Sequence, residues 1–67
     1  MKVEFKIDYR IAEDDRLHSA TIIVEDSDEV MDMVNDAIGK FNEYVWEEQI
    51  KNPVVCGIIC EGYVEEE

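Results

Sequence analysis

Asp28, Glu29, Asp32, Asp36, Glu43 and Glu47 recur at intervals that bring them to one side of a helix. Carboxylates one helical turn apart lie about 5–6 Å from each other. From Asp28 to Glu47 the row spans about 29 Å at roughly 1.5 Å per residue. Phosphates along a nucleic-acid strand are comparably spaced, and a groove that binds them gains much of its affinity electrostatically. A rigid row of carboxylates can therefore compete for such a groove. Lys40 and Gly39 interrupt the row, and the plainer reading is the solvated outer face of an acidic protein.

The remaining chemistry-bearing residues point away from catalysis, and the chain reads as a non-enzyme. His18 is the only histidine, and strand periodicity places it as a partly buried structural residue. Ser19 and Ser27 lack a base and an orienting partner. Cys56 and Cys60, four residues apart on a strand, would sit about 13 Å from each other, whereas a disulfide needs Cα atoms within about 7 Å. They are expected as small buried apolar residues in a reducing compartment. Zinc needs three or four converging nitrogen or sulfur ligands, and the chain holds three such side chains in all. Asp26-Ser27-Asp28-Glu29 opens like a calcium loop but has no glycine at the sixth position. No metal site and no cofactor is expected.

Charge sets the wider frame. Eighteen acidic against six basic residues leave a formal net charge of −12 on 67 residues. Such a chain repels nucleic acid and anionic membranes and is drawn to basic protein surfaces. Charge of this order often accompanies disorder, but 46% of the residues are hydrophobic and they fall in periodic patterns, which argues for a folded domain. The length allows one domain, 1–67, with a small core. Neither a signal peptide nor an apolar run of membrane-spanning length is present, so a cytoplasmic location is expected.

Val3, Phe5, Ile7, Tyr9 and Ile11 alternate with charged residues, which predicts a strand over 2–11 with one buried face. A second strand over 17–25 completes a hairpin. Pairing residues whose numbers sum to 27 keeps every apolar partner on one side; a slip of one residue would turn them all outward. That register implies a tight turn around Glu13-Asp14. Asp26 as N-cap with Glu29 three residues on resembles a capping box and predicts a helix over 27–48. Val30, Val34, Ala37, Ile38, Phe41 and Val45, with Met33 and Tyr44 alongside, form its apolar stripe. Asn52-Pro53 ends the helical region. Val54 to Val64 is the last strand, with Gly57 and Gly62 marking a bulge or a close backbone approach. Glu65-Glu66-Glu67 is expected as a frayed acidic tail.

The order predicts an α+β fold, a small ββαβ domain whose three-stranded sheet has order 2-1-3. One long helix packs on one face, and the last strand runs parallel to the second. Trp46 and Ile50 fall outside the apolar stripe, about 160° and 200° around the helix from Val30. Either the helix ends near Val45 and folds them back onto the sheet, the favoured reading, or they form an exposed apolar anchor for a partner. The edge of the last strand, with Val55, Ile58 and Ile59, invites pairing with a second copy.

In size and acidity the chain resembles the small inhibitor proteins that phages and mobile elements direct against host nucleic-acid enzymes, some of which mimic DNA. The resemblance is one of composition and carries no residue assignments. The expectation is an acidic protein-binding module that occupies a basic, nucleic-acid-binding surface of a partner, without itself binding nucleic acid or membrane. The alternative is an assembly module that homodimerises through its sheet edge, its acidity serving only solubility.

Overall fold

The computed structural model describes residues 1–64; the expected acidic tail at 65–67 lies outside the described residues. The chain forms β1 (Lys2–Arg10), β2 (His18–Glu25), α1 (Val30–Glu47) and β3 (Val54–Val64). The sheet order is β2-β1-β3. Both outer strands run antiparallel to β1, so they run parallel to each other.

Strict alternation on β1 produces this sheet. Val3, Phe5, Ile7 and Tyr9 all point to one side and are buried. Across from them stand Val24, Ile22, Ala20 and His18, the register in which paired numbers sum to 27. Ala37 and Phe41 of α1 close the core from above, and the Phe41 ring lies 5.2 Å from that of Tyr9. The opposite face of β1 is polar: Lys6 lies 3.8 Å from Asp8, and the Ser19 hydroxyl donates to Asp8 at 2.8 Å.

The ends of the elements differ from the sequence expectation. The hairpin has no two-residue turn. Residues 11–17 connect the strands, with a turn in which the Asp14 amide donates to the Ile11 carbonyl at 3.4 Å. The reason is local chemistry, because 12–15 hold no glycine or asparagine to adopt the positive φ a two-residue hairpin turn needs. Asp14 instead accepts the Arg16 amide at 3.0 Å, and Arg10 donates to the Asp15 carbonyl.

The helix starts at Val30, three residues later than expected. Its N-cap is Glu29, with no side-chain cap, so the Asp26 capping box is absent. The Asp26 amide donates to the Met1 carbonyl at 2.9 Å. This extends the β1–β2 pairing by one step and holds Asp26 to the sheet.

Two bulges interrupt β3. Glu4 and Phe5 face Gly62 and Cys60, leaving Glu61 extra; Asp8 and Tyr9 face Gly57 and Val55, leaving Cys56 extra. The helix also covers less than the stripe implied. It packs over β2 and β1, so the strip of β3 on the same side stays open. Val55 and Tyr63 are 47% and 64% exposed. Both cysteines are free and exposed, which overturns their expected burial. Val30 at the start of the helix and Ile38 in its middle are exposed too, although they belong to the apolar stripe.

Candidate functional site

On an α-helix each residue advances about 100°, so Asp32, Asp36, Glu43 and Glu47 fall within a sector about 60° wide. That sector lies opposite Ala37 and Phe41, which bury the other side of α1. All four carboxylates are exposed. Asp28 and Glu29 are exposed as well, but they occupy the bend before the helix. The helical part of the row therefore runs from Asp32 to Glu47, about 22 Å, shorter than the full span from Asp28.

Lys40 interrupts this row less than its position suggests. Its ammonium turns toward β2 and donates to the Ile23 carbonyl at 2.8 Å. Two ion pairs among the described residues, Lys6–Asp8 and His18–Asp14, lie away from the row. Gly39 stands about 20° outside the sector, and a side chain there would meet nothing within 4 Å.

Trp46 and Ile50, expected together, are separated by the helix C-terminus. The Ile50 amide donates to Val45 at 3.0 Å and the Gln49 amide to Trp46 at 3.2 Å. Gln49 takes φ 55°. These are the two bonds and the left-handed residue of a Schellman motif. It turns Ile50 back against the core and leaves Trp46 outside, 84% exposed. The favoured expectation thus holds for Ile50 and fails for Trp46. A shallow open hollow of about 720 Å³ lies here, lined by Val45, Trp46, Glu47, Ile50 and Lys51 among others. It joins an aromatic surface to the last carboxylate of the row.

The edge residues are also divided. Ile58 is half-buried against the core, whereas Val55 and Ile59 are exposed. At the hairpin end, His18 stacks on Tyr9 with ring centres 5.4 Å apart, and its Nε2 lies 3.2 Å from both Asp14 carboxylate oxygens. That contact holds the Asp14 carboxyl below its ordinary value of 3.8, helped by the Arg16 amide. Burial, a hydrogen bond with Tyr44 and the nearby Glu48 carboxylate push the Tyr9 phenol up to about 12. Among the described residues no three His, Cys, Asp or Glu side chains converge as a metal-holding cluster. No helix is long and apolar enough to cross a membrane.

No protein-family model, curated protein or solved structure matches the chain. The arrangement itself is a row of exposed carboxylates that ends beside an exposed tryptophan.

Proposed function

We propose that this chain is a small acidic protein-binding module that occupies a basic, nucleic-acid-binding surface of a partner protein by charge mimicry. The observation that supports this reading is the exposed sector of Asp32, Asp36, Glu43 and Glu47 with Trp46 at its end. One DNA strand places a charge about every 3.4 Å, so about 22 Å of strand carries six or seven phosphates. The helix offers four carboxylates over that length, and the preceding bend adds Asp28 and Glu29. The density is lower than that of nucleic acid but of the same order, and the row is fixed on a scaffold. Trp46 supplies what phosphate lacks, a large apolar contact that can also stack on an arginine guanidinium. On this reading the chain binds and blocks; it does not catalyse.

The test is affinity capture from a host lysate, with the captured protein then purified and titrated. A basic nucleic-acid-binding protein should be captured, released by duplex DNA and released as salt rises. Replacing Asp32, Asp36, Glu43 and Glu47 together by Lys should weaken binding about a hundredfold. Each exposed ion pair contributes up to about 1 kcal/mol, and 1.4 kcal/mol is about tenfold. Trp46→Ala should weaken it further while leaving the melting temperature within about 2 °C. Undiminished binding by the fourfold reversal variant would sink the proposal.

A further inference from the structure

β3 is an edge strand unlike the rest of the chain. Its eleven residues carry one charge, Glu61, in a protein of net charge −12. Edges of this kind are ordinarily blunted with lysine, proline or β-bulges; β3 holds no lysine or proline, and its two bulges are the irregularities a partner strand must match. The strip of β3 on the helix side consists of the residues opposite Tyr9, Ile7, Phe5 and Val3, namely Val55, Ile58, Cys60 and Tyr63, all exposed but Ile58, which is half-buried against the core. Because of the two bulges these positions no longer follow simple alternation. They are symmetric about one residue only. Reflection through Ile59 exchanges Val55 with Tyr63 and Ile58 with Cys60, and no other whole-residue centre maps the set onto itself.

We propose that β3 pairs antiparallel with β3 of a second copy about a two-fold axis at Ile59, giving a continuous six-stranded sheet. In this register each apolar row of β1 continues across the junction. Ile7 and Ile58 lead to Cys60 and Phe5 of the second copy; Tyr9 and Val55 lead to its Tyr63 and Val3. Aromatic and β-branched residues directly opposite each other form favourable cross-strand pairs. The bulges fit as well. Glu61 falls opposite Gly57 of the second copy, and Cys56 falls opposite its Gly62, so each extra residue faces one without a side chain. Glu61 meets no like charge.

Gly57 fits this arrangement. Its backbone is not left-handed, and a Cβ built on it would meet nothing within 4 Å in the single chain. Gly57 flanks the bulge at Cys56, a common place for a strand glycine, and its open Cβ position also leaves room for the backbone of a second copy. A specific interface must clear about 500 Å² per partner, about a tenth of the 5099 Å² surface. β3 holds 11 of the 67 residues, with Val54, Val55, Ile59 and Tyr63 all substantially exposed. An axis perpendicular to the sheet keeps both helices on one side, so the two acidic rows face the same way.

Sedimentation of the wild-type chain at high micromolar concentration in 0.5 M NaCl should give twice the 7.8 kDa chain mass. Because both copies are acidic, the dimer should tighten between 0.05 and 0.5 M salt, opposite to binding of a basic partner. Ile59 lies on the axis beside its own twin. In a background of Cys56→Ser and Cys60→Ala, Ile59→Cys should therefore cross-link on mild oxidation. Val55→Cys should not, because its twin stands eight residues away, about 26 Å. Ile59→Asp should give a monomer with an unchanged circular dichroism spectrum. A monomeric wild type at both salts overturns the proposal, as do self-association that weakens with salt and cross-linking as efficient at Val55 as at Ile59. Recovery of only a basic partner on this strand, with no dimer, overturns it too.

Discussion

At the scale of single residues, the hairpin end shows how a small acidic domain uses its one histidine. Tyr9 is buried and its phenol is pushed up to about 12, so it stays neutral through the physiological range and serves as a platform for His18. His18 in turn holds Asp14, whose folded-state value lies below 3.8. The sign follows from linkage: a carboxyl depressed on folding contributes stability that is fully present above its unfolded value and lost as pH falls through its lower folded value. A carbon-13 titration of the Asp14 carboxyl should therefore give a midpoint below 3.8, and His18→Gln should return it toward 3.8. A midpoint unchanged by that substitution would mean that the Arg16 amide alone holds the carboxylate. His18 was placed by strand register, which depends only on alternation. Its contact with Asp14 was not legible, because it depends on how a loop without turn glycines closes. Periodicity puts Trp46 on the acidic side of the helix, and of the two readings open to it the structure takes the exposed one, not the favoured folded-back one. Periodicity gives direction around an axis, whereas burial depends on how far the neighbouring sheet extends.

At the scale of elements, β1 carried most of the information. Five apolar residues at period two, matched by a second run, are enough to define hairpin, register and core face together. Helix ends were less legible, since they depend on which backbone groups are already taken. Asp26 has the right chemistry for a cap, yet its amide bonds to Met1. At the other end the Schellman turn places Gln49 at φ 55°, a conformation that disfavours a side chain with Cβ by about 1–2 kcal/mol. Gln49→Gly relieves this but adds freedom to the unfolded chain, about 0.4–1 kcal/mol in the opposite direction. The net effect should be a gain of about 0.7 kcal/mol, which a thermal melt would register as a rise of about 4 °C. The turn should remain, because glycine is the usual occupant of that position. A lowered melting temperature would mean that the Gln49 side chain makes a stabilising contact at the rim of the hollow beside Trp46.

At the scale of the whole molecule, acidity and sheet architecture pull in different directions. The described residues measure 37 × 23 × 17 Å along their principal axes. At 0.01 M ionic strength the screening length is about 30 Å, so each carboxylate feels nearly every other; at 1 M it is about 3 Å and only contacts remain. Against this long-range repulsion the described residues set Lys6 beside Asp8 and His18 beside Asp14, neither contact fully buried. Pairs of that kind contribute little, so repulsion among the excess charges dominates the electrostatics of folding. Raising NaCl from 0.01 to 0.5 M at neutral pH should therefore raise the melting temperature by several degrees. The measurement belongs at low micromolar concentration, where a tenfold dilution leaves the melting temperature unchanged. There, self-association through β3 contributes nothing and the salt effect reports folding alone. A melting temperature that falls with salt would reverse the order of these terms. The few attractive pairs would then outweigh twelve excess charges, and the acidic row on α1 would have to be engaged within the chain rather than held open for a partner.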